Sequence, residues 1–280
     1  MSLAVRVPAT SANLGAGFDV LGLALDLYAE VGVLDGDEAD HTPDGAQPAD
    51  AHHIADIAYR RLGGTGRLWV RSPIPMGRGL GYSGAVRVGG AALAAIQRDG
   101  ELTAAGRTDV FESTAELEHH PDNVSASVYG GLVVAVGSHV APVPLAFEAA
   151  VVVWVPDAVT TSTDKSRATL PDVVSRADAV FNVGRAALFV AACATGDTSL
   201  LATATEDRLH QPERLALVPE SAKAIDTARD AGAWGAWLSG SGPTVAALCA
   251  PEAADAVAAA LPATGHVKLL GVDRAGVVQI

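Results

Sequence analysis

Between Pro75 and Gly84 the chain reads Pro-Met-Gly-Arg-Gly-Leu-Gly-Tyr-Ser-Gly, and an alanine-rich helical pattern begins directly afterwards. Gly77, Gly79 and Gly81 alternate with side chains. Glycine alone reaches both signs of φ at little cost, so three alternating glycines let a backbone curl into a concave run of N–H donors. At a helix N-terminus such a concavity suits a polyphosphate, because several donors converge and the macrodipole favours negative charge. Ser83 adds a hydroxyl of the kind that a bound Mg²⁺ accepts. The stretch lacks the Gly-Lys-Ser/Thr ending of the P-loop, and its glycines stand too close together for the dinucleotide-binding fingerprint. Taken alone, it reads equally well as a glycine-rich strand-to-helix turn without a ligand.

The elements that must hold this loop follow from periodicity. A strand over residues 68–70 leads into it, and a helix over 85–97 leads out with Ala85, Val88, Ala92 and Ile96 on one face. A helix over 108–117, with Val110, Thr114 and Leu117 inward, stops before His120-Pro121, since the residue preceding proline is pushed out of the α region. Earlier in the chain, a strand over 3–7 ends at Pro8, and one or two strands cover 20–33. The aspartate-rich run 35–50 reads as a solvated loop or hairpin tip, and 51–62 as a short helix. Strands over 130–136 and 149–155 enclose Pro142 and Pro144, which separate an N-terminal domain, 1–145, from a C-terminal one, 146–280. In the second half a polar loop, 157–165, precedes helices over 173–194, 198–204 and 221–231. Strands over 236–238 and 244–248 flank Ser239-Gly240-Ser241-Gly242-Pro243, and a helix over 251–261 precedes terminal strands. Strands and helices mix without regular alternation, which gives an α+β protein of two layers and two subdomains.

Composition narrows the partners. The 280 residues are 49% hydrophobic with 5% aromatic, an aliphatic core rich in alanine and valine, and the formal charge is −13. That charge argues against nucleic acid or an anionic membrane surface as partner. The apolar runs 186–194 and 231–238 are too short to span a bilayer, and no basic-then-apolar leader opens the sequence. Cys193 and Cys249 sit in apolar runs and read as reduced core residues of a cytoplasmic protein. The adjacent His119 and His120 do not converge on a metal, and no third ligand is spaced for one.

Three segments together carry a resemblance. Pro8-Ala9-Thr10-Ser11-Ala12-Asn13-Leu14-Gly15-Ala16-Gly17-Phe18-Asp19-Val20-Leu21-Gly22, the loop at 75–84 and Leu238-Ser239-Gly240-Ser241-Gly242-Pro243-Thr244 closely resemble the three motifs of the GHMP kinase superfamily, in that family's order and spacing. The first motif, His120-Pro121-Asp122-Asn123-Val124 and Asp207-Arg208-Leu209-His210-Gln211-Pro212 resemble the homoserine kinases in particular. The resemblance implies an N-terminal part like a ribosomal-protein domain and a ferredoxin-like C-terminal part. It also implies an ATP-dependent kinase of threonine biosynthesis that transfers the γ-phosphoryl group to L-homoserine, and often a homodimer.

Residue by residue, it places ATP on Pro75, Gly77, Arg78, Gly79, Leu80, Gly81, Tyr82 and Ser83, and Mg²⁺ on Ser83 and Glu116, the latter flanked by Glu112 and Glu118. For the acceptor it implies Asn13, Asp19, His120, Thr163, Arg167 and Arg214. Asp19 suits an ammonium, and the two arginines suit a carboxylate, where planar donor pairs bind two oxygens. Asn123 stands where related kinases use an aspartate, with Asp122 beside it, and Arg167 is placed to neutralise charge on the moving phosphoryl group. Two departures stand out: Tyr82-Ser83-Gly84 where the family has Ser-Ser-Ala, and His119 where it has glycine. They keep open a different alcohol, such as a sugar phosphate, as acceptor, and a non-catalytic nucleotide-binding relative as a third reading.

Overall fold

The computed structural model describes residues 3–34, 42–157 and 166–280. β1 (Ala4–Ala12) and β2 (Leu21–Leu34) form the spine of a seven-stranded antiparallel sheet. β2 is long enough to serve three neighbours. It pairs with β1 along most of its length, with β4 (Arg67–Arg71) through Glu30–Leu34, and with β5 (Leu132–Val136) through Leu21–Leu23. β3 (Gln47–Ala49) edges β4, so the end of the aspartate-rich run is a strand; its residues 35–41 lie outside the described residues.

Pro8 does not end the first strand. The β1–β2 register shifts between Pro8 and Ala9, and that irregularity absorbs the missing N–H and carries the strand on to Ala12. Likewise Pro142 lies inside β6 (His139–Val143), not in a connection. Among the described residues β6 pairs only with β5 and is an edge strand, where proline is tolerated.

Helices α1 (Ile54–Arg61), α2 (Tyr82–Asp99), α3 (Ala104–Glu118) and α4 (Asp122–Tyr129) follow the sheet. α2 and α4 pack on β1 and β2, while α1 and α3 lean on α2. α2 is buried almost throughout from Gly84 to Ile96, which its alanines and glycines allow. α3 begins a turn earlier than periodicity suggests, because the Thr103 hydroxyl caps it by accepting from Gly106 N at 3.0 Å.

The second sheet, in order β10 (Gly265–Leu270), β7 (Ala150–Pro156), β9 (Val245–Cys249), β8 (Gly235–Leu238), is also antiparallel. β7 is apolar on both faces. Val151, Val153 and Val155 join the main core with Phe189, Cys193 and Trp237, while Val152 and Trp154 pack with Ala224, Ile225, Ala228 and Val257. Apart from Trp237 of β8, these partners lie on α5 (Arg176–Thr195), α7 (Pro219–Asp230) and α8 (Ala254–Ala260), with α6 (Gln211–Leu217) between α5 and α7 in sequence. Among the described residues α5 is the one helix long and apolar enough to cross a bilayer, yet it buries Asn182, Phe189, Ala192 and Cys193. Both cysteines are buried and unpaired, and burial pushes the Cys193 thiol up to about 12. β11 (Val278–Gln279) returns to pair with β1.

α3 ends at His119, an exposed residue held at φ 64° as the helix cap. A side chain in the left-handed region costs about 1–2 kcal/mol, which is why glycine is usual at this position. The substitution His119→Gly is therefore expected to raise stability by about 0.5–1 kcal/mol after glycine's own entropy cost. Thermal denaturation should register this as a midpoint about 1–3 °C higher.

Candidate active site

Three backbone turns meet at one seam. The first follows β1, the second is the glycine loop between β4 and α2, and the third is the Ser239–Thr244 turn that joins β8 to β9. Gly240 N donates to Ala12 O at 3.1 Å, and Asn13 Nδ2 donates to Gly240 O at 2.9 Å. Ser239 Oγ donates to Gly79 O at 2.6 Å and lies 2.8 Å from Ser11 Oγ, which accepts from Trp237 Nε1 at 3.0 Å. Thr10 N donates to Leu80 O at 3.2 Å.

This closeness explains two of the glycines. A Cβ on Gly79, at φ 80°, would stand 2.2 Å from Ser239 O. One on Gly81, at φ 67°, would stand 1.9 Å from Thr10 Oγ1. Gly81 is also the residue from which α2 starts, so the loop's curl delivers the helix N-terminus to the cleft.

Beside the seam opens a cleft of about 330 Å³. Pro75, Gly77, Arg78, Gly79, Leu80, Gly81, Tyr82 and Ser83 all line it, as do Asn13, Asp19, His120, Asp122, Asn123, Arg167 and Arg214. Thr163 lies outside the described residues. Arg78 bends its guanidinium onto the carbonyls of Pro156 and Asp157, tying the loop to the end of β7. Tyr82 is half-buried, and that burial raises its phenol above the ordinary value, so its hydroxyl stays protonated.

Glu116 is not in the cleft. It points outward, 68% exposed, and pairs with Arg61 of α1. Glu118 takes the position expected for it: Ser83 Oγ donates to Glu118 Oε2 at 3.0 Å, and Arg87 of α2 donates to Oε1. Helical geometry explains the exchange, since residues two apart face different ways, whereas Glu118 stands four residues after the buried Thr114. That spacing was the signal in the sequence that favours Glu118. Gly240 and Ser241 also line the cleft. Among the described residues no group of three or more His, Cys, Asp and Glu side chains stands ready for a metal. Ser83 and Glu118 offer a hydroxyl and a carboxylate oxygen, which suits a hard cation that draws its remaining ligands from phosphates and water.

Elsewhere in the cleft, Arg167 grips Asp19 with both arms, Nη1 to Oδ2 at 2.8 Å and Nη2 to Oδ1 at 2.7 Å. The Arg167 and Arg214 guanidinium carbons each lie 5.3 Å from the centre of the Phe18 ring, whose other neighbour is the stacked His210 ring at 5.0 Å. His210 is fully buried, with Nε2 2.8 Å from Gly15 O and Nδ1 3.2 Å from Arg214 Nη1. Since the carbonyl needs a donor and the guanidinium an acceptor, the ring is the neutral Nε2–H tautomer. Burial, outweighing the nearby Asp207, pushes its pKa down and keeps it neutral. Arg214 is lowered by burial first and by Arg167 second, and its Nη1 also donates to Gly240 O at 3.2 Å. Asp207 accepts from the backbone N–H groups of Leu209, His210 and Gln211, which starts α6 and aims both side chains.

Near the seam, Asp122 is buried with Oδ1 accepting from Asn123 N at 2.7 Å and lying 3.2 Å from His120 Nδ1. Thr10 Oγ1 donates to Asn123 Oδ1 at 2.7 Å. Asp122 thus orients its neighbours, and His120 retains Nε2 as its other ring nitrogen.

The family models for the GHMP kinase N-terminal domain and the GHMP kinase C-terminal region match residues 51–131 and 189–267. The chain belongs to the GHMP kinase family. This kinase is 42% identical to a homoserine kinase of Thermus thermophilus, with 86% of this chain and 85% of that one covered. It is 39% identical to a homoserine kinase of Moorella thermoacetica, with 93% of each covered. The crystal structure of homoserine kinase from Cytophaga hutchinsonii superposes with a TM-score of 0.84 at 28% identity, covering 100% of this chain and 97% of that one. The kinase is accordingly ATP-dependent and acts on a hydroxyl group, and its mixed helix-and-sheet architecture is the GHMP fold.

Two outcomes follow for this kinase. Glu118→Gln should lower kcat/KM by about a hundredfold or more, in line with the loss of a charged contact in a partly buried site. Glu116→Gln, which removes only an exposed ion pair, should stay within about twofold. The second outcome concerns pH. His210 has a depressed folded pKa, so the unfolded chain binds the extra proton and stability falls as pH drops below about 6.5. Thermal midpoints at pH 7.5 and 5.0 should therefore differ less in His210→Gln than in the parent chain.

Proposed function

We propose that this kinase transfers the γ-phosphoryl group of ATP to the hydroxyl of L-homoserine, giving O-phospho-L-homoserine and ADP. One observation carries the reading: a single cleft joins an anion-cradling loop at a helix N-terminus to a carboxylate flanked by two arginines. The first half fits a nucleotide polyphosphate, and the second fits the ammonium and carboxylate of an amino acid. The names of the relatives support the same acceptor.

The N–H groups of the glycine loop and the N-terminus of α2 would hold the phosphates. Ser83 and Glu118 would hold Mg²⁺, which supplies charge neutralisation on the phosphate oxygens. Asp19 would take the substrate ammonium, and Arg167 and Arg214 its carboxylate. Binding requires Asp19 and Arg167 to exchange each other for the two ends of the ligand. Asn13 and His120 would orient the hydroxyl, with His120 fixed by Asp122. Phosphoryl transfer has a loose transition state, so alignment and charge stabilisation carry most of the rate, and no strong base is required of Asn123 or Asp122.

Coupled ADP-release assays over homoserine, mevalonate, shikimate and pentose phosphates should give the highest kcat/KM with homoserine, and a preference for any other acceptor overturns the assignment. Asp19→Asn should raise KM for homoserine about tenfold to a hundredfold while leaving KM for ATP nearly unchanged, as expected for losing one charge-assisted contact.

A further inference from the structure

Arg87 stands one helical turn after Ser83 on α2, and both side chains meet Glu118. The ion pair is largely enclosed, with the Arg87 and Glu118 side chains 19% and 8% exposed. Among the described residues Arg87 Nε is buried without an acceptor, and Glu118 is the one carboxylate ion-paired with its guanidinium. The carboxylate proposed for the metal therefore already has a full positive charge beside its other oxygen.

That arrangement acts on the two halves of a metal–nucleotide complex with opposite signs. A divalent cation at Ser83 and Glu118 meets a partly neutralised carboxylate and a neighbouring like charge, and both weaken its attraction. The phosphates, by contrast, are spared the repulsion of a bare Glu118, because Arg87, which does not itself line the cleft, offsets that charge from one turn beyond Ser83. Metal-free ATP, the more negative form, gains most.

We propose that Arg87 is a built-in counter-charge to Glu118 that takes over part of the metal's role, so that nucleotide binding by this kinase depends less on Mg²⁺ than Ser83 and Glu118 alone would make it. The inference rests on the kinase reading and on Ser83 with Glu118 as the metal's protein ligands.

Calorimetric titration with the non-hydrolysable nucleotide AMP-PNP, once in excess EDTA and once in saturating MgCl₂, gives a ratio of dissociation constants that measures how strongly metal and nucleotide are coupled. Arg87→Met keeps length and removes the charge, while Arg87→Gln removes the charge but retains a donor for Glu118. Both are expected to raise the ratio by about tenfold, mainly through weaker metal-free binding, and Arg87→Lys to stay within about threefold of the parent chain. An unchanged or smaller ratio in Arg87→Gln, with normal nucleotide affinity in the parent chain, overturns the inference and leaves Arg87 as a holder of Glu118. Failure of the parent chain to bind AMP-PNP in either buffer overturns the kinase reading and the inference with it.

Discussion

The close approach of three backbone turns is the constraint on which the rest of this protein depends. Ala12, Gly79 and Gly240 come together so tightly that carbonyls and amides of one turn serve as partners for the next. No side chain larger than hydrogen fits at Gly79, where the nearest obstacle is a backbone oxygen and has nowhere to go. The two sheets also share the main apolar core and are bridged where β2 meets the segment after β10, Leu25 against Val272. The seam and the Arg78 bridge to β7 hold the glycine loop of one against the turn of the other. The cleft opens along that seam, so the same contacts that join the halves also shape the site.

Behind the seam lies a layer of buried polar groups whose role is orientation. His210 and Asp207 fix Arg214, Asp122 fixes His120 and Asn123, and Arg87 fixes Glu118. The Arg214 and Glu118 pairings each place one charged member against the cleft and its holder outside the lining. Buried polar groups are costly unless satisfied, so removing one member of such a network leaves its partner exposed to that cost. A side chain held in this way loses little rotamer freedom when a ligand arrives, which is the physical meaning of preorganisation here.

Much of this was legible in the sequence, and for a definite reason. Glycines at alternate positions, a Ser-Gly-Ser-Gly-Pro turn and an Asn that tolerates positive φ are demands of the backbone, and the backbone writes them in residue type. The apolar periodicity of α2 and the double-faced run of β7 were legible on the same grounds. Orientation was harder to read. Glu112, Glu116 and Glu118 share one helix, and choosing among them requires knowing which face meets α2; the spacing from Thr114 was the available clue. α4, with its serines and valines, has weak helical preference and is held by packing on β1, β2 and β5. Pro8 and Pro142 read as strand breakers, yet a bulge and a sheet edge accommodate them, and neither context is visible locally.

Under the proposed acceptor assignment, the Asp19–Arg167 pair has a consequence for selectivity. With the pocket's two charges already facing each other, a zwitterion that enters between them trades one contact for two and leaves neither protein charge stranded. A molecule bearing only an amine or only an acid satisfies one partner and orphans the other, beside the aromatic face of Phe18. The internal pair is thus a standing competitor that only a doubly charged guest displaces at no loss. Discrimination arises from what the empty pocket already enjoys as much as from what the filled one gains.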